Sequence, residues 1–164
     1  MPIIILPWFT RADLRANPER LYVFGDNFAR AGYGGQAAEC RDEPNAVGIV
    51  TKRSPSLAQS AFLDNGDLAD WARISRLDFG RVENALTQKK EVALPKKGLG
   101  TGRAKLKECA PLIWDALIDR MYSWFEISAA KGARIHSCPD WNGMVIGEDD
   151  PEFEACTCFK NTAV

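Results

Sequence analysis

A series of short apolar runs, each closed by glycine, proline or a small polar residue and mostly followed by a segment of helical period, constrains this chain more than any other feature. The runs are Pro2–Leu6, Leu21–Phe24, Val47–Val50, Glu91–Pro95 and Ala133–Ser137. They are too short for helices and rich in residues that suit a pleated surface. Strands alternating with helices give an α/β fold, with a sheet covered by helices on both faces in a three-layer α/β/α arrangement.

The intervening segments carry their own start and stop signals. Thr10-Arg11-Ala12-Asp13 has the spacing of a capping box and predicts a short helix. Gly34-Gly35 opens a helix through Gln36–Arg41 that Pro44 stops. Residues 53–66, with Ser, Pro, Asn and Gly, read as a loop or an inserted lid. From Leu68 to about Thr87 two helical pieces are expected, broken near Gly80. Ala110, Ile113, Trp114, Leu117, Met121, Trp124 and Phe125 recur at three- and four-residue steps and mark an amphipathic helix whose aromatic stripe is core. There are no repeats, so residues 1–164 read as a single domain, with 144–164 as a C-terminal tail packing on it.

Composition narrows the classes of function. The 164 residues carry 21 basic and 22 acidic side chains, a formal charge of −1. That balance argues against broad, salt-driven binding to nucleic acid or to anionic lipid, but leaves room for a small anionic ligand held locally. No apolar run approaches the roughly 20 residues needed to span a bilayer, and the first strand lacks the flanks of a signal peptide. Five cysteines make a disulfide framework improbable, which suits a reducing, cytoplasmic setting. His136 and Cys138 with Cys156 and Cys158 form the one conceivable zinc set. The spacing within each pair is one residue too tight for the usual pattern, so ordinary buried thiols are the better reading and no metal is expected.

In sheets of this kind ligands sit outside the carboxyl ends of the strands. Three loops there are rich in glycine or polar groups: Gly25–Gly35, Pro95–Arg103 and Pro139–Gly143. In the first, Phe24-Gly25-Asp26-Asn27 precedes Gly32-Tyr33-Gly34-Gly35-Gln36 at a helix start, where bare backbone and unpaired amides suit an anion. The alternative is a plain turn, for which Gly, Asp and Asn are common. In the second, Gly98-Leu99-Gly100-Thr101-Gly102-Arg103 joins a strand to a helix and suits a phosphate. It is neither a P-loop nor a dinucleotide fingerprint, and its bland reading is a flexible connector. Two such loops side by side suit a diphosphate. Arg103, and less so Lys96, can neutralise its charge. The single histidine, His136, reads as a packed strand residue rather than a base, and Glu148-Asp149-Asp150 as a solvated turn.

The pairing of Asn27 and Gly34-Gly35 with Ala93-Leu94-Pro95 and Gly98-Leu99-Gly100-Thr101-Gly102 resembles the two ligand loops of macro domains, and Phe24-Gly25-Asp26-Asn27 is most similar to the divergent macro-like proteins of bacteria and phages. The resemblance covers about residues 20–140 in element order, with detail only in the two loops. It implies a macro-like fold with a mixed central sheet that binds ADP-ribose or a related adenine nucleotide. Asn27 would hold the distal ribose and Asp26 would position a water. Gly25, Gly34, Gly35, Gln36, Gly98, Gly100, Thr101, Gly102 and Arg103 would line the ligand, and Trp141 would stack on adenine. Hydrolysis of an ADP-ribosyl linkage would then need no cofactor. The family's Asn-Ala-Ala-Asn run is replaced by Gly-Asp-Asn, and Gln36 stands where small apolar residues are usual. A non-catalytic module that sequesters a nucleotide messenger or reads ADP-ribosylated partners is the alternative.

Overall fold

The computed structural model describes residues 3–128 and, by their backbone, two short strands at 133–135 and 145–147. In chain order the elements are β1 (Ile3–Leu6), α1 (Arg11–Ala16), β2 (Leu21–Asn27), α2 (Ala37–Cys40), β3 (Ala46–Lys52), α3 (Leu68–Thr87), β4 (Val92–Pro95), α4 (Leu106–Cys109), α5 (Pro111–Ser128), β5 (Ala133–Ile135) and β6 (Val145–Gly147). The central four strands run in the order β1-β4-β2-β3, and every pairing among them is parallel. Among the described residues, antiparallel pairing is confined to the β5–β6 ribbon.

Side chains alternate across most of this sheet, as a strand's two-residue period requires, the exception being Val50, which joins Ile49 in the same core near the end of β3. Ile3, Val23, Val47, Ile49, Val92 and Leu94 face one core with Trp71, Phe79 and Val82 of α3 and Ile113, Leu117, Met121 and Trp124 of α5. Tyr22, Phe24, Ala46 and Ala93 face the other, smaller core with Leu14 of α1, Ala37 and Cys40 of α2, and Phe9. The architecture is therefore α/β, with helices on both faces. The larger core is ordered by a chain of aromatic contacts, Trp71 to Phe79 at 5.4 Å between ring centroids and Phe79 to Trp124 at 6.0 Å. No helix among the described residues is long and apolar enough to cross a membrane.

Local signals explain most boundaries. Thr10 caps α1, its hydroxyl accepting from the Asp13 amide while the Asp13 carboxylate accepts from the Thr10 amide. One expectation fails: α3 runs unbroken through Gly80. That glycine is exposed, whereas Phe79 and Val82 beside it are buried, so packing of the inner face outweighs the roughly 1 kcal/mol a helical glycine costs. Segment 53–66 is not a bare loop either. It contains 3-10 turns at Gln59–Ala61 and Asn65–Asp67, and the Arg53 guanidinium ties it together through the Phe62 carbonyl and the carboxylates of Asp64 and Asp67.

The sheet divides in its carboxyl half. β2 and β4 pair only at Leu21↔Val92 and Tyr22↔Ala93. Beyond that point β4 continues alongside β1 to Pro95, and β2 continues alongside β3 to Asn27.

Candidate functional site

The crevice left by this division is bounded by loops that depart to opposite faces. The chain after β2 enters α2, in the smaller core, and the chain after β4 enters α4 and α5, in the larger one. That is a topological switch point, the place where open α/β sheets bind ligands. Three loops converge there. The Lys96 amide donates to the Leu6 carbonyl at 2.8 Å, joining the loops after β4 and β1. The Gln36 side-chain amide donates to the Phe9 carbonyl at 2.6 Å, joining the start of α2 to the loop after β1. Gly34 comes so near the second glycine loop that a Cβ there would stand 4.0 Å from the Arg103 guanidinium.

Gly25 forms part of the crevice wall. The Leu21 amide donates toward β4, to the Glu91 carbonyl, and the Tyr22 amide toward β3, to the Asn45 carbonyl. Continued along the strand, this alternation turns the backbone of Gly25 toward β4, which has already left. Gly25 is exposed although it lies in an inner strand.

Asp26 and Asn27 serve the interior of the first loop. Asp26 is 6% exposed, and its carboxylate accepts from Arg41 at 2.5 Å and from Arg30 at 3.2 Å. Gly48 on the adjacent strand makes this possible, because a Cβ there would lie 2.5 Å from an Asp26 carboxylate oxygen. Arg41 in turn donates to the carbonyls of Gly32 and Ala31, and Arg30 to that of Gly48. The Asn27 side-chain amide donates to the Ala31 carbonyl at 2.8 Å, and its oxygen accepts from the Ala31 amide. Both side chains thus brace residues 28–32 and are engaged with protein groups. Gln36 is likewise committed to Phe9, and Gly35, at φ +58, turns the chain into α2.

The second loop is shaped by left-handed glycines at Gly98, Gly100 and Gly102, with φ values of 76°, 77° and 57°. Gly100 is also buried under α4: its carbonyl accepts from the Leu106 amide, and a Cβ would stand 2.8 Å from the Leu106 side chain. The Thr101 hydroxyl donates to the Lys97 carbonyl at 2.8 Å and closes the turn. Gly102 and Arg103 are exposed. Among the described residues Arg103 has no acidic partner.

Two residues at this rim escape sequence reasoning. Lys52 ends β3 beside Asn27, is 9% exposed, donates to the Ser56 carbonyl at 2.6 Å and lies 4.7 Å from the centre of the Phe62 ring. Burial, with the nearby Arg103 charge, holds its ammonium below the usual lysine range. The signal was its place, a cation at the carboxyl end of a strand. Trp8 is 51% exposed in the loop after β1, next to fully buried Phe9. Cys40, by contrast, is buried under α2 and its thiol is pushed up to about 12 by burial, which leaves it inert. Trp141, the Pro139–Gly143 loop, the 144–164 tail apart from the backbone of β6, and the His136, Cys138, Cys156 and Cys158 set lie outside the described residues.

The profile of a family described as "Family of unknown function (DUF7831)" matches residues 4–120, which is more than half of the chain and includes both glycine loops. The chain belongs to that family. No curated protein and no solved structure matches it.

Proposed function

We propose that this member of the DUF7831 family binds ADP-ribose or a related adenine nucleotide in the crevice between β2 and β4, in the manner of the macro domains its loops resemble. The observation that carries this reading is the divided sheet, with glycine-rich loops meeting across a switch point and bare backbone at Gly25 and Gly34 within reach of a ligand. Gly34, Gly35, Thr101 and Gly102 approach the diphosphate, with Gly100 shaping their loop from beneath α4, and Trp8 offers an indole face for the base.

The non-catalytic form of this reading is favoured by one observation. Asp26 is buried between two guanidinium groups and Asn27 is bound to its own loop, so neither side chain is placed to orient a water at a ribose. Hydrolysis of an ADP-ribosyl linkage would require both to be released.

Calorimetric titration with ADP-ribose, with AMP and NAD as comparators, tests the proposal. Micromolar binding of ADP-ribose is expected. It should be abolished by Gly34→Leu, which places a side chain into the approach to Arg103 where the backbone tolerates one. No heat from folded wild-type protein overturns it. Release of ADP-ribose from a modified peptide would reinstate catalysis.

A further inference from the structure

We propose that the amino end of the sheet holds a second binding site, a cavity between the starts of β2 and β3 and the last turn of α3 that takes a small organic oxyanion, the carboxylate or phosphate ester of a compound with a few carbon atoms. The crevice lies at the opposite, carboxyl end, and the cavity shares none of its glycine-loop residues, so the site stands whether or not the crevice binds a nucleotide.

The cavity measures about 250 Å³ and has apolar walls in Leu21, Pro44 and Ala85. That is below the roughly 300–1,000 Å³ of pockets for drug-sized ligands, so its occupant is smaller than a nucleotide. Its polar walls are held by bonds within the chain. The Asn45 side-chain amide donates to the carbonyls of Leu14, Asn17 and Arg20 at 2.9, 3.1 and 3.1 Å, and the Arg20 guanidinium is fixed by Glu91 at 2.7 Å. At the end of α3 the Lys89 amide donates to the Leu86 carbonyl and the Lys90 amide to the Ala85 carbonyl. This is a Schellman turn, with Lys89 in the left-handed region at φ 59° where glycine is usual, and it brings Lys90 into the lining. The Gln88 amide and the Thr87 hydroxyl occupy the carbonyls of Asn84 and Glu83 as well, so the electronegative end of the helix is blunted where an anion would sit.

What remains to be satisfied are donors. Neither Arg81 nor Lys90 has a carboxylate partner among the described residues, and Arg81 makes one described bond, at 3.3 Å to the Pro44 carbonyl. The Asn84 side-chain oxygen accepts from the Gln88 amide, which leaves its NH2 group to donate. Glu19 is the one acid in the described lining, and Arg20 is already balanced by Glu91, so two cations remain against one carboxylate. Ammonium and guanidinium groups carry donors and no acceptor, and a carboxylate or phosphate supplies the acceptors with the opposite charge. The apolar walls suit a short carbon chain attached to it.

The test is an NMR titration of the isotope-labelled full chain with propyl phosphate, butyrate and inorganic phosphate, followed through the backbone amides. Saturable shifts are expected at Leu21, Ala85 and Lys90 with propyl phosphate or butyrate, at dissociation constants on the order of 1 mM. The tighter of the two tells a phosphate ester from a carboxylate. An exposed charge pair is worth up to about fivefold in affinity, so Arg81→Gln and Lys90→Gln should each weaken the tighter probe by about threefold to fivefold, and the double variant should show no saturation. Arg76→Gln removes an exposed, unpaired arginine from the same helix outside the cavity and should leave the affinity unchanged. All three side chains are exposed, so none of these substitutions unfolds the protein. The site is overturned if no probe gives saturable shifts, if the shifts fall on the crevice loops alone, or if Arg76→Gln weakens binding as much as Arg81→Gln. Inorganic phosphate that binds as tightly as its propyl ester overturns the organic ligand.

Discussion

The Asp26 carboxylate, which in sequence reads as a group to orient water, is held in the structure by Arg41 and Arg30 and braces the first loop. An aspartate between a glycine and an asparagine at a strand's end is a reasonable candidate for orienting water. The sequence holds no local sign that Arg41, fifteen residues on and past a helix, would reach back to it, nor that Gly48 would make room on the neighbouring strand. That partnership exists only because β2 and β3 pair in register, with Gly48 opposite Phe24. Removing the carboxylate leaves the buried Arg41 guanidinium without its acidic partner, while the exposed Arg30 keeps Asp78. Asp26→Ala should therefore cost about 3–5 kcal/mol. In thermal denaturation that corresponds to a fall in Tm on the order of 10 °C. An unchanged Tm would mean that the pair contributes no net stability. Asn27 was legible as a polar residue of the first glycine-rich loop but not as its internal tie, since an asparagine at a turn satisfies either role equally well on paper.

At the level of elements, strands and helices were readable where a local pattern decides them and unreadable where distant packing does. The capping box of α1 and the apolar stripe of α5 follow from residues within a few positions of each other. The continuity of α3 does not, because it depends on Trp71, Phe79, Val82 and Leu86 burying one face against the sheet and α5. A glycine on the opposite, exposed face then has little influence. Its residual cost can be recovered: a Cβ at Gly80 meets nothing within 4 Å, so Gly80→Ala should stabilise the protein by about 1 kcal/mol and raise the Tm by about 2–4 °C. A fall in Tm would place a contact on that face that the structure does not contain. Segment 53–66 reads as a loop or an inserted lid because its composition is that of one. What orders it is Arg53, whose partners lie seven to fourteen residues ahead and carry no periodic signature.

On the scale of the whole molecule, the sheet is two parallel pairs, β1 with β4 and β2 with β3, held together by a seam two residues long at their amino ends. Strand order could not be read from the chain, since alternating strands and helices are compatible with many orders; the position of β4 between β1 and β2 is what creates the crevice. The same arrangement gives β2 two different edges. Its even-numbered amides turn toward β3, while the amide of Gly25 turns toward a partner that is not there. In deuterated buffer the strand should accordingly lose its protons unevenly: Tyr22, Phe24 and Asp26 slowly, at the pace of global unfolding, and Gly25 within the time of local fluctuations. If exchange at Gly25 is as slow as at its neighbours, the seam extends further than two residues. A bound ligand that covers the gap would quiet that one amide, so a single proton in the middle of the sheet reports whether the crevice is filled.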